Sequence, residues 1–541
     1  MEKIRVLDCT LRDGGRIINC AFSDKEIHDI TDKLAEAKID IIEIGFLRDW
    51  RNVTYEGNTT FFTDVDQMTP FIKNRNSRYV AFVDYGMFDF DSLKPYDGTS
   101  IDGIRVGFTK KDFNNSLDDI IKCLNIVKDK GYRLFVQGVN SLNYSDRELL
   151  DLIAMVNEVH PYGFGIVDTY GAMYMDDLQR IFRLVDNNLL PDVAIDFHSH
   201  NNYQMSFALA QEVIRLSRGV REVIIDATLN GMGKVAGNLN TELIVDYLVR
   251  KKHFGYEFDV ILDLIDDYVY SYKETENWGY SIPALMAGIY QSHPNNICYL
   301  TEKFRLQTKD IKNLVSMIEP VKRQRYDYDN IERLYIEYNG QKIDDEMTIS
   351  ELRNLIGKKN VLVVAPGASI LENKEKIEEY VTKYSPFVIS VNFDYEKADC
   401  VFFGNKKKYV NSKEVIGDKK CIVTSNISKY NEEHYVVNYY SLINMEYEYF
   451  ENSLMMLLAL LRRIDVESIG LAGFDGFSKD KQNYIDKSFQ NSRHISEFDK
   501  LNSELGKMFS DFVKSVSGKT KIKFVTPSVF KKTINKGYIY E

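Results

Sequence analysis

The 541-residue chain is 44% hydrophobic and 28% charged, and its length exceeds the roughly 250–300 residues of a single core, so we expect two or more domains. Its net charge of −11 argues against a nucleic-acid groove, and no apolar run approaches the roughly 18 residues that span a bilayer. The six cysteines are scattered without a CxxC pair, so we expect reduced thiols. The first predicted strand begins at residue 4, so we expect no signal peptide and a cytoplasmic protein.

Eight short apolar runs, each followed by an amphipathic helical stretch, occupy the first half of the chain. They are residues 4–10, 39–46, 79–84, 103–108, 133–139, 163–168, 193–198 and 222–227. Strands that alternate with helices pair in parallel through right-handed crossovers, and eight such units favour a closed (β/α)₈ TIM barrel. An open doubly wound sheet is the alternative. In a barrel the active site lies at the carboxyl ends of the strands.

Polar residues stand at nearly all of these strand ends. The first strand leads into Arg12 and Asp13, the second carries Glu43, and the seventh ends in His198 and His200. Alternate residues of a strand face the same side, so the two histidines share one face. With Asp13 they form a three-ligand set that leaves positions open for water or substrate, as in catalytic metal sites. Arg12 is a candidate for stabilising an enolate oxygen, or forms a salt bridge with Glu43.

These motifs occur in a characteristic order along the chain. Residues 7–14 (LDCTLRDG), Glu43, the histidine pair and the glycine-rich loop 231–238 follow one another on the expected strands. Together they resemble the DRE-TIM metallolyase superfamily (HMG-CoA lyase-like enzymes), and most closely its 4-hydroxy-2-oxovalerate aldolases. The resemblance extends over residues 4–300.

The resemblance implies a metal site and a reaction. It makes Asp13, His198 and His200 metal ligands, with Asn238 in second rank, and Arg12 the enolate stabiliser. The metal would be a divalent ion, with Mn²⁺ favoured over Mg²⁺, Co²⁺ or Zn²⁺. The implied enzyme is an aldolase or lyase that makes or breaks a carbon–carbon bond through a metal-bound pyruvate-type enolate.

One position departs from the aldolase pattern. Those enzymes carry a histidine base three residues after the metal-binding aspartate, where this chain has Arg16. Arginine stays protonated and cannot act as a base at neutral pH. Either Tyr290, His293 or a metal-bound hydroxide supplies the base, or the second substrate differs and carries a phosphate or carboxylate that suits Arg16. Tyr290 lies in a segment that resembles the post-barrel helix of the aldolases, although it could equally pack that helix onto the barrel.

The second half of the chain shows a new alternation. After a barrel domain at 1–298 and a helical linker at 299–357, short apolar runs in residues 358–541 predict a Rossmann-like α/β domain. A turn of small residues between Gly367 and Ser369 precedes a helix and could cradle a phosphate, and Asp475 lies in a later Gly-Phe-Asp-Gly turn. These features are loosely similar to nucleotide-sugar-handling domains of bacterial surface-glycan enzymes. A tight turn without a ligand is the alternative.

Three functions therefore stand from the sequence. The first is a metal-dependent aldolase or lyase joining a 2-oxo acid to an aldehyde or sugar-derived substrate, in surface-polysaccharide synthesis. The second is a Claisen-type synthase that uses acetyl-CoA on the same barrel. The third is a nucleotide-sugar binder or glycosyltransferase that acts through Gly367, Ser369 and Asp475, with the barrel as a scaffold. Whether the chain forms a homo-oligomer is left open.

Overall fold

The computed structural model describes residues 3–302, 306, 308–339, 343–417, 419–427, 433–486 and 498–533. The chain divides into two compact units, Met1–Ile331 and Glu332–Glu541. The segmentation into 1–298, 299–357 and 358–541 stays a prediction, because compactness divides the chain only once. None of the helices in the described ranges combines the length and apolar character that a bilayer crossing needs.

The first unit is built on a closed ring of eight parallel strands. Its sheet contains β1 (Ile4–Asp8), β2 (Ile41–Leu47), β3 (Phe61–Phe62), β4 (Arg78–Asp84), β5 (Gly103–Phe108), β6 (Arg133–Gly138), β7 (Gly163–Asp168), β8 (Ala194–Ser199) and β9 (Val223–Ala227). The order is β1-β9-β8-β7-β6-β5-β4-β2-β3, and β1 also pairs with β2, which closes the ring. The two-residue β3 is an addition beside β2. The predicted barrel is confirmed, and the open-sheet alternative is wrong for this half.

Amphipathic helices cover the outside of the barrel. They are α1 (Asp24–Glu36), α2 (Lys110–Asn115), α3 (Leu117–Asp129), α4 (Asp146–Val159), α5 (Met175–Asn188), α6 (Ser206–Ser217) and α7 (Thr241–Lys252). The first begins at a capping box, in which Ser23 accepts from the Glu26 amide and Glu26 accepts from the Ser23 amide. Such a cap stabilises a helix by about 1 kcal/mol. The buried face of α1, which includes Ile27, Ile30 and Leu34, packs against the barrel beside β2.

Further helices follow the barrel. They are α8 (Phe258–Leu264), α9 (Tyr270–Thr275), α10 (Ile282–Tyr290), α11 (Pro294–Glu302), α12 (Thr308–Met317), α13 (Pro320–Arg323) and α14 (Tyr328–Asn339), in which the division between the units falls. Ser281 caps α10 by accepting from the Ala284 amide, and Gly288 lets this helix approach the barrel, since a Cβ there would lie 2.9 Å from the Tyr203 ring. The end of α10 thereby brings Ser292 and His293 to the barrel mouth.

The second unit is a seven-stranded parallel sheet. Its elements are α15 (Glu346–Ile356), β10 (Asn360–Val364), α16 (Ser369–Glu372), α17 (Lys374–Tyr384), β11 (Phe387–Val391), β12 (Cys400–Phe403), α18 (Lys406–Ile416), β13 (Cys421–Thr424), β14 (Tyr435–Val437), α19 (Ser453–Ile464), β15 (Ser468–Ala472), α20 (Phe498–Val516) and β16 (Lys521–Phe524). The order is β14-β13-β12-β11-β10-β15-β16. The direction of strand addition reverses between β10 and β15, which is where open parallel sheets bind ligands.

Candidate active site

The first-ranked metal ligands converge at the carboxyl end of the barrel. Asp13 lies in the loop after β1, and His198 and His200 lie at the end of β8. One carboxylate oxygen of Asp13 and one ring nitrogen of each histidine all lie within 4.8 Å of one another. The Nε2 atoms of His198 and His200 lie 3.9 Å and 3.6 Å from the same oxygen, Asp13 Oδ2.

Two oxygens at this place lack the partners that buried oxygens normally have. Asp13 Oδ2 and Asn238 Oδ1 are buried without a hydrogen-bond partner among the described residues. An unsatisfied buried acceptor costs about 1–3 kcal/mol, which a bound cation offsets. Asn238 Nδ2 donates to Met232 O at 3.0 Å, so the amide is held, and the backbone of Asn238 pairs with that of His200. These residues therefore fit a divalent ion.

The histidines are in the form that a metal requires. Burial lowers the pKa of both His198 and His200 to about 4, so both rings are neutral at pH 7. His198 Nδ1 lies 3.0 Å from Asp226 Oδ2, which assigns the ring proton to Nδ1 and leaves the Nε2 lone pair directed at Asp13. This carboxylate–histidine pairing is the usual support of a metal-binding imidazole.

A second group of metal-type ligands lies deeper in the barrel. Cys9, His198 and Asp226 also bring their ligand atoms within 4.8 Å. Burial raises the pKa of Cys9 well above its usual value, so the side chain stays a thiol, and it donates to Ala227 O at 3.3 Å. Since metals bind the thiolate, this deeper group is a poor alternative to the site at Asp13.

Arg12 stands beside the metal-type site and has two partners. Its Nε donates to Glu43 Oε2 at 2.5 Å and its Nη1 to Asp13 Oδ1 at 2.7 Å. Its guanidinium carbon lies 4.5 Å from the centre of the Phe82 ring. Burial opposes ionisation of Asp13, but the positive charge of Arg12 beside it outweighs burial and holds the Asp13 pKa well below its usual value. Glu43 is completely buried and acts on the site through Arg12.

A buried arginine supports this arrangement from below. Arg105 donates to Glu43 Oε1 at 3.1 Å, to Asp196 Oδ2 at 2.7 Å and to Asp226 Oδ2 at 2.5 Å. Arg105 lies in the middle of β5, and the sequence did not indicate that Asp196 and Asp226 would be its partners. The sequence pattern did indicate a place for Asp196 beside the site, because it lies two residues before His198 in an apolar strand and therefore faces the same side of that strand.

A cavity of about 290 Å³ opens above these residues and contains most of the predicted site. Asp13, Arg12, Arg16, His198 and His200 all line it. Tyr290 is not among the lining residues, and the Arg323 guanidinium instead lies 5.1 Å from its ring centre. The cavity is also lined by His293, which the sequence offered as a base, and by Lys234, Lys110 and Gln324, to which the sequence assigned no role.

The predicted ligand turn of the second unit lies beside another cavity, of about 200 Å³. Gly367 and Asp475 line this cavity, whereas Ser369 does not. The Ser369 amide and hydroxyl instead donate to the two carboxylate oxygens of Asp475 at 2.7 Å and 2.5 Å. A Cβ at Gly367 would clash with Gly473 O, so glycine is needed where the loops after β10 and β15 meet. Asn392 and the first turn of α19 also border the cavity.

The fold and the site together define a (β/α)₈ barrel with a metal-type carboxylate–imidazole set at its mouth. A family model described as HMGL-like matches residues 96–267, within the part of the chain where the motif order predicted this resemblance.

The curated relatives that match this part of the chain have several activities. A 4-hydroxy-2-oxovalerate aldolase of Carboxydothermus hydrogenoformans is 24% identical over 325 residues, covering 57% of this chain and 90% of that enzyme. An oxaloacetate decarboxylase of Mycobacterium tuberculosis is 25% identical over 259 residues, covering 48% of this chain and 74% of that enzyme. A 2-isopropylmalate synthase of Sulfurisphaera tokodaii is 24% identical over 269 residues, covering 48% of this chain and 65% of that enzyme.

Proposed function

We propose that the barrel unit is a divalent-metal-dependent carbon–carbon lyase or aldolase that acts on a 2-oxo acid. The observation that carries this proposal is the meeting of an unpartnered buried carboxylate oxygen of Asp13 with two neutral imidazoles beside a fixed guanidinium. The relatives named above, an aldolase and a decarboxylase of 2-oxo acids, support it.

The chain's residues divide the work between holding the ion and holding the substrate. An ion bound by Asp13, His198 and His200, with Asn238 as a further oxygen donor, would supply Lewis-acid polarisation of the 2-oxo acid. The guanidinium of Arg12 has five N–H donors, so its bonds to Glu43 and Asp13 leave donors for a developing enolate oxygen.

Of the two side chains that the sequence offers as a base, one borders the cavity. His293 lines the cavity and Tyr290 does not. His293 Nδ1 accepts from the Asn295 amide at 3.1 Å, so the neutral ring carries its proton on Nε2. A substrate oxygen therefore finds a hydrogen-bond donor at His293, while Arg16 contributes a fixed positive charge.

The half-reaction on pyruvate tests this proposal without knowledge of the second substrate. Metal-stripped protein is incubated with pyruvate in D₂O, with and without Mn²⁺, and loss of the methyl proton signal is followed by NMR. We expect metal-dependent exchange that falls by about 100-fold or more in Arg12→Met, since one preorganised donor contributes that much. The matched control is Asp246→Asn, which removes a carboxylate of α7 outside the cavity. Exchange that needs neither metal nor Arg12 would sink the proposal.

A Claisen-type reaction is the second candidate, because one relative is a 2-isopropylmalate synthase. It predicts release of free thiol from acetyl-CoA when a 2-oxo acid is present, which a thiol reagent detects. If thiol is released from acetyl-CoA faster than the methyl protons of pyruvate exchange, the Claisen-type reaction replaces the aldolase or lyase reaction as the proposed function.

We also propose that the second unit binds a phosphate-bearing ligand of the nucleotide or nucleotide-sugar type, with Gly367 and Asp475 at its cavity. The position of that cavity at the reversal point of a parallel sheet supports this. An aldehyde derived from a sugar would then join the two activities in surface-polysaccharide synthesis. Thermal-shift measurements with CMP, CDP and UDP test it. A stabilisation that survives in Asp475→Asn, or the absence of any response, would contradict it.

A further inference from the structure

Lys234 extends from the glycine-rich loop 231–238 into the barrel cavity. The loop is fixed on both sides, because the Gly279 amide donates to Val235 O at 3.0 Å and Trp278 Nε1 donates to Asn230 O at 3.0 Å. The side-chain ammonium of Lys234 makes no hydrogen bond or ion pair within the described ranges, whereas its backbone oxygen accepts from the Gly237 amide at 3.1 Å. A lysine on a rigid loop thus directs an unpaired charge at the cavity.

The other cations of the cavity wall already have carboxylate partners. Arg12 pairs with Glu43, Arg105 with Asp196, and Lys110 with Glu148. The two carboxylates that line the same cavity, Asp13 and Asp84, are also used, since Asp13 pairs with Arg12 and Asp84 with Arg48 at 2.8 Å. Lys234 is therefore a surplus positive charge in a chain whose net charge is −11.

Arg16 adds a second weakly used cation to the same wall. It lies in a 3₁₀ turn at Gly14–Ile18, and its side chain is 40% exposed. Its ion pairs are loose, with Nε 3.3 Å from Asp13 Oδ1 and Nη2 3.7 Å from Asp84 Oδ2, and its guanidinium donates no hydrogen bond among the described residues. Most of its planar donor fork is thus available to a ligand.

His293 completes the group from the post-barrel side. Burial, followed by the charges of Lys234 and Arg16, lowers its pKa to about 4, so the ring is neutral. With Nδ1 accepting from the Asn295 amide, Nε2–H is a donor. An ammonium, a guanidinium and an imidazole N–H offer hydrogen-bond donors and two positive charges.

We propose that Lys234, Arg16 and His293 form an anion subsite, and that the second substrate of the barrel is an aldehyde or acceptor carrying a phosphate or carboxylate group. The assignment of this anion to a substrate rests on the proposed function, whereas the presence of an anion-binding subsite does not. The carboxylate of a 2-oxo acid belongs beside Arg12 and the metal ligands, so the charge bound at Lys234 is that of the other reactant. The histidine position of the aldolases is thereby used for binding rather than for proton transfer.

Binding of unreactive anions tests the subsite without any catalysis. Calorimetric titration compares glycerol 3-phosphate, glycerate and glycerol on the whole protein loaded with Mn²⁺. We expect at least one of the two anions to bind about 10- to 100-fold more tightly than glycerol, because a hydrogen bond to a charged group contributes about 1.5–3 kcal/mol. Lys234→Met should remove most of that difference and Lys234→Arg should restore part of it. The stronger anion identifies the group as phosphate or carboxylate.

Steady-state aldol addition then assigns the subsite to the second substrate. With pyruvate as donor, glyceraldehyde 3-phosphate is compared with glyceraldehyde. We expect Lys234→Met to raise the KM for the phosphorylated aldehyde by about tenfold more than the KM for pyruvate. The matched control is Lys251→Met, an exposed lysine at the end of α7.

Two results overturn the inference. One is equal binding of glycerol and both anions, and the other is a Lys234→Met effect that falls on the pyruvate KM. Failure of the proposed function looks different, because then pyruvate exchange is absent while the anions still bind at Lys234.

Discussion

His198 serves two neighbours through its two ring nitrogens. Nδ1 lies against Asp226, and Nε2 is directed at Asp13. Asp226 is in turn held by Arg105, which also binds Glu43, the partner of Arg12. The groups that would touch the ion and the substrate are thus oriented by one buried hydrogen-bond network. A substitution within this network should therefore change the affinity for the metal ion.

Substitution of Asp226 by asparagine tests this link. Asp226→Asn removes the negative charge that fixes the His198 tautomer and replaces one carboxylate oxygen with an amide donor, so we expect Mn²⁺ affinity to fall by about 10- to 100-fold. Calorimetric titration of the metal-stripped protein measures it, with Asp246→Asn as the control. Unchanged affinity would mean that the tautomer is fixed by another group.

The pKa of His293 reports the positive charge around it. Burial is the main cause of its fall to about 4, and Lys234 and Arg16 add to it. We therefore expect the pKa to rise in Lys234→Met, measured by NMR titration of the imidazole protons and assigned with His293→Gln. The sign also fixes the stability effect: the folded pKa lies below the unfolded value, so this stabilisation is present above about pH 6.5 and is lost as the pH falls through 4. An unshifted titration would show that Lys234 does not act on His293.

At the scale of elements, the glycine-rich loop shows why some positions accept no side chain. Gly237 has φ +72°, and a Cβ there would clash with Gly231 O. The backbone of Asn201 donates to Gly237 O, which ties this loop to the residues that follow the histidine pair. The loop therefore links β9 to the metal-type site.

Gly237→Ala is expected to destabilise the barrel by about 1–3 kcal/mol, because the left-handed backbone and the clash must both be relieved. Gly255→Ala is the matched control, since a Cβ at Gly255 meets no atom within 4 Å. Urea unfolding followed by tryptophan fluorescence measures both. Equal midpoints for the two variants would contradict the tight loop.

The elements also show what the sequence could reveal. The eight barrel strands were predictable because each is a run of mostly buried apolar residues. Among the described residues, the helix expected after every strand is absent after β2 and β4, where only 3₁₀ segments lead to the next strand. In the second sheet β14 and β16 were missed, since one has three residues and the other alternates lysine with apolar residues. Asp13 and the histidines followed from strand ends, whereas Lys234 and His293 meet only through the packing of a loop and a post-barrel helix. The prominence of Tyr290 came from resemblance alone, and the alternative was that it packs its helix onto the barrel. In the structure the Arg323 guanidinium lies 5.1 Å from its ring centre.

At the scale of the whole molecule, the two units offer separate spectroscopic signals. Both tryptophans of the chain, Trp50 and Trp278, belong to the unit Met1–Ile331. Tryptophan fluorescence therefore follows the barrel unit alone. A ligand that binds only the folded state raises the midpoint of the unit that holds it.

We expect Mn²⁺ to raise the thermal midpoint detected by tryptophan fluorescence. At a free concentration of about 100 Kd the stabilisation is about 2.7 kcal/mol. His200→Ala should lose this shift, and Lys251→Met should keep it. A shift that persists in His200→Ala would place the ion elsewhere.

The most direct measurement is a Mn²⁺ titration of the metal-stripped protein, followed by the loss of the free Mn²⁺ signal in electron paramagnetic resonance. We expect one tightly bound ion per chain, and no tight binding in Asp13→Asn, which removes the charge of the one carboxylate among the first-ranked ligands. Tight binding that is unchanged in Asp13→Asn, or its absence from the unsubstituted protein, would contradict a metal site at Asp13, His198 and His200.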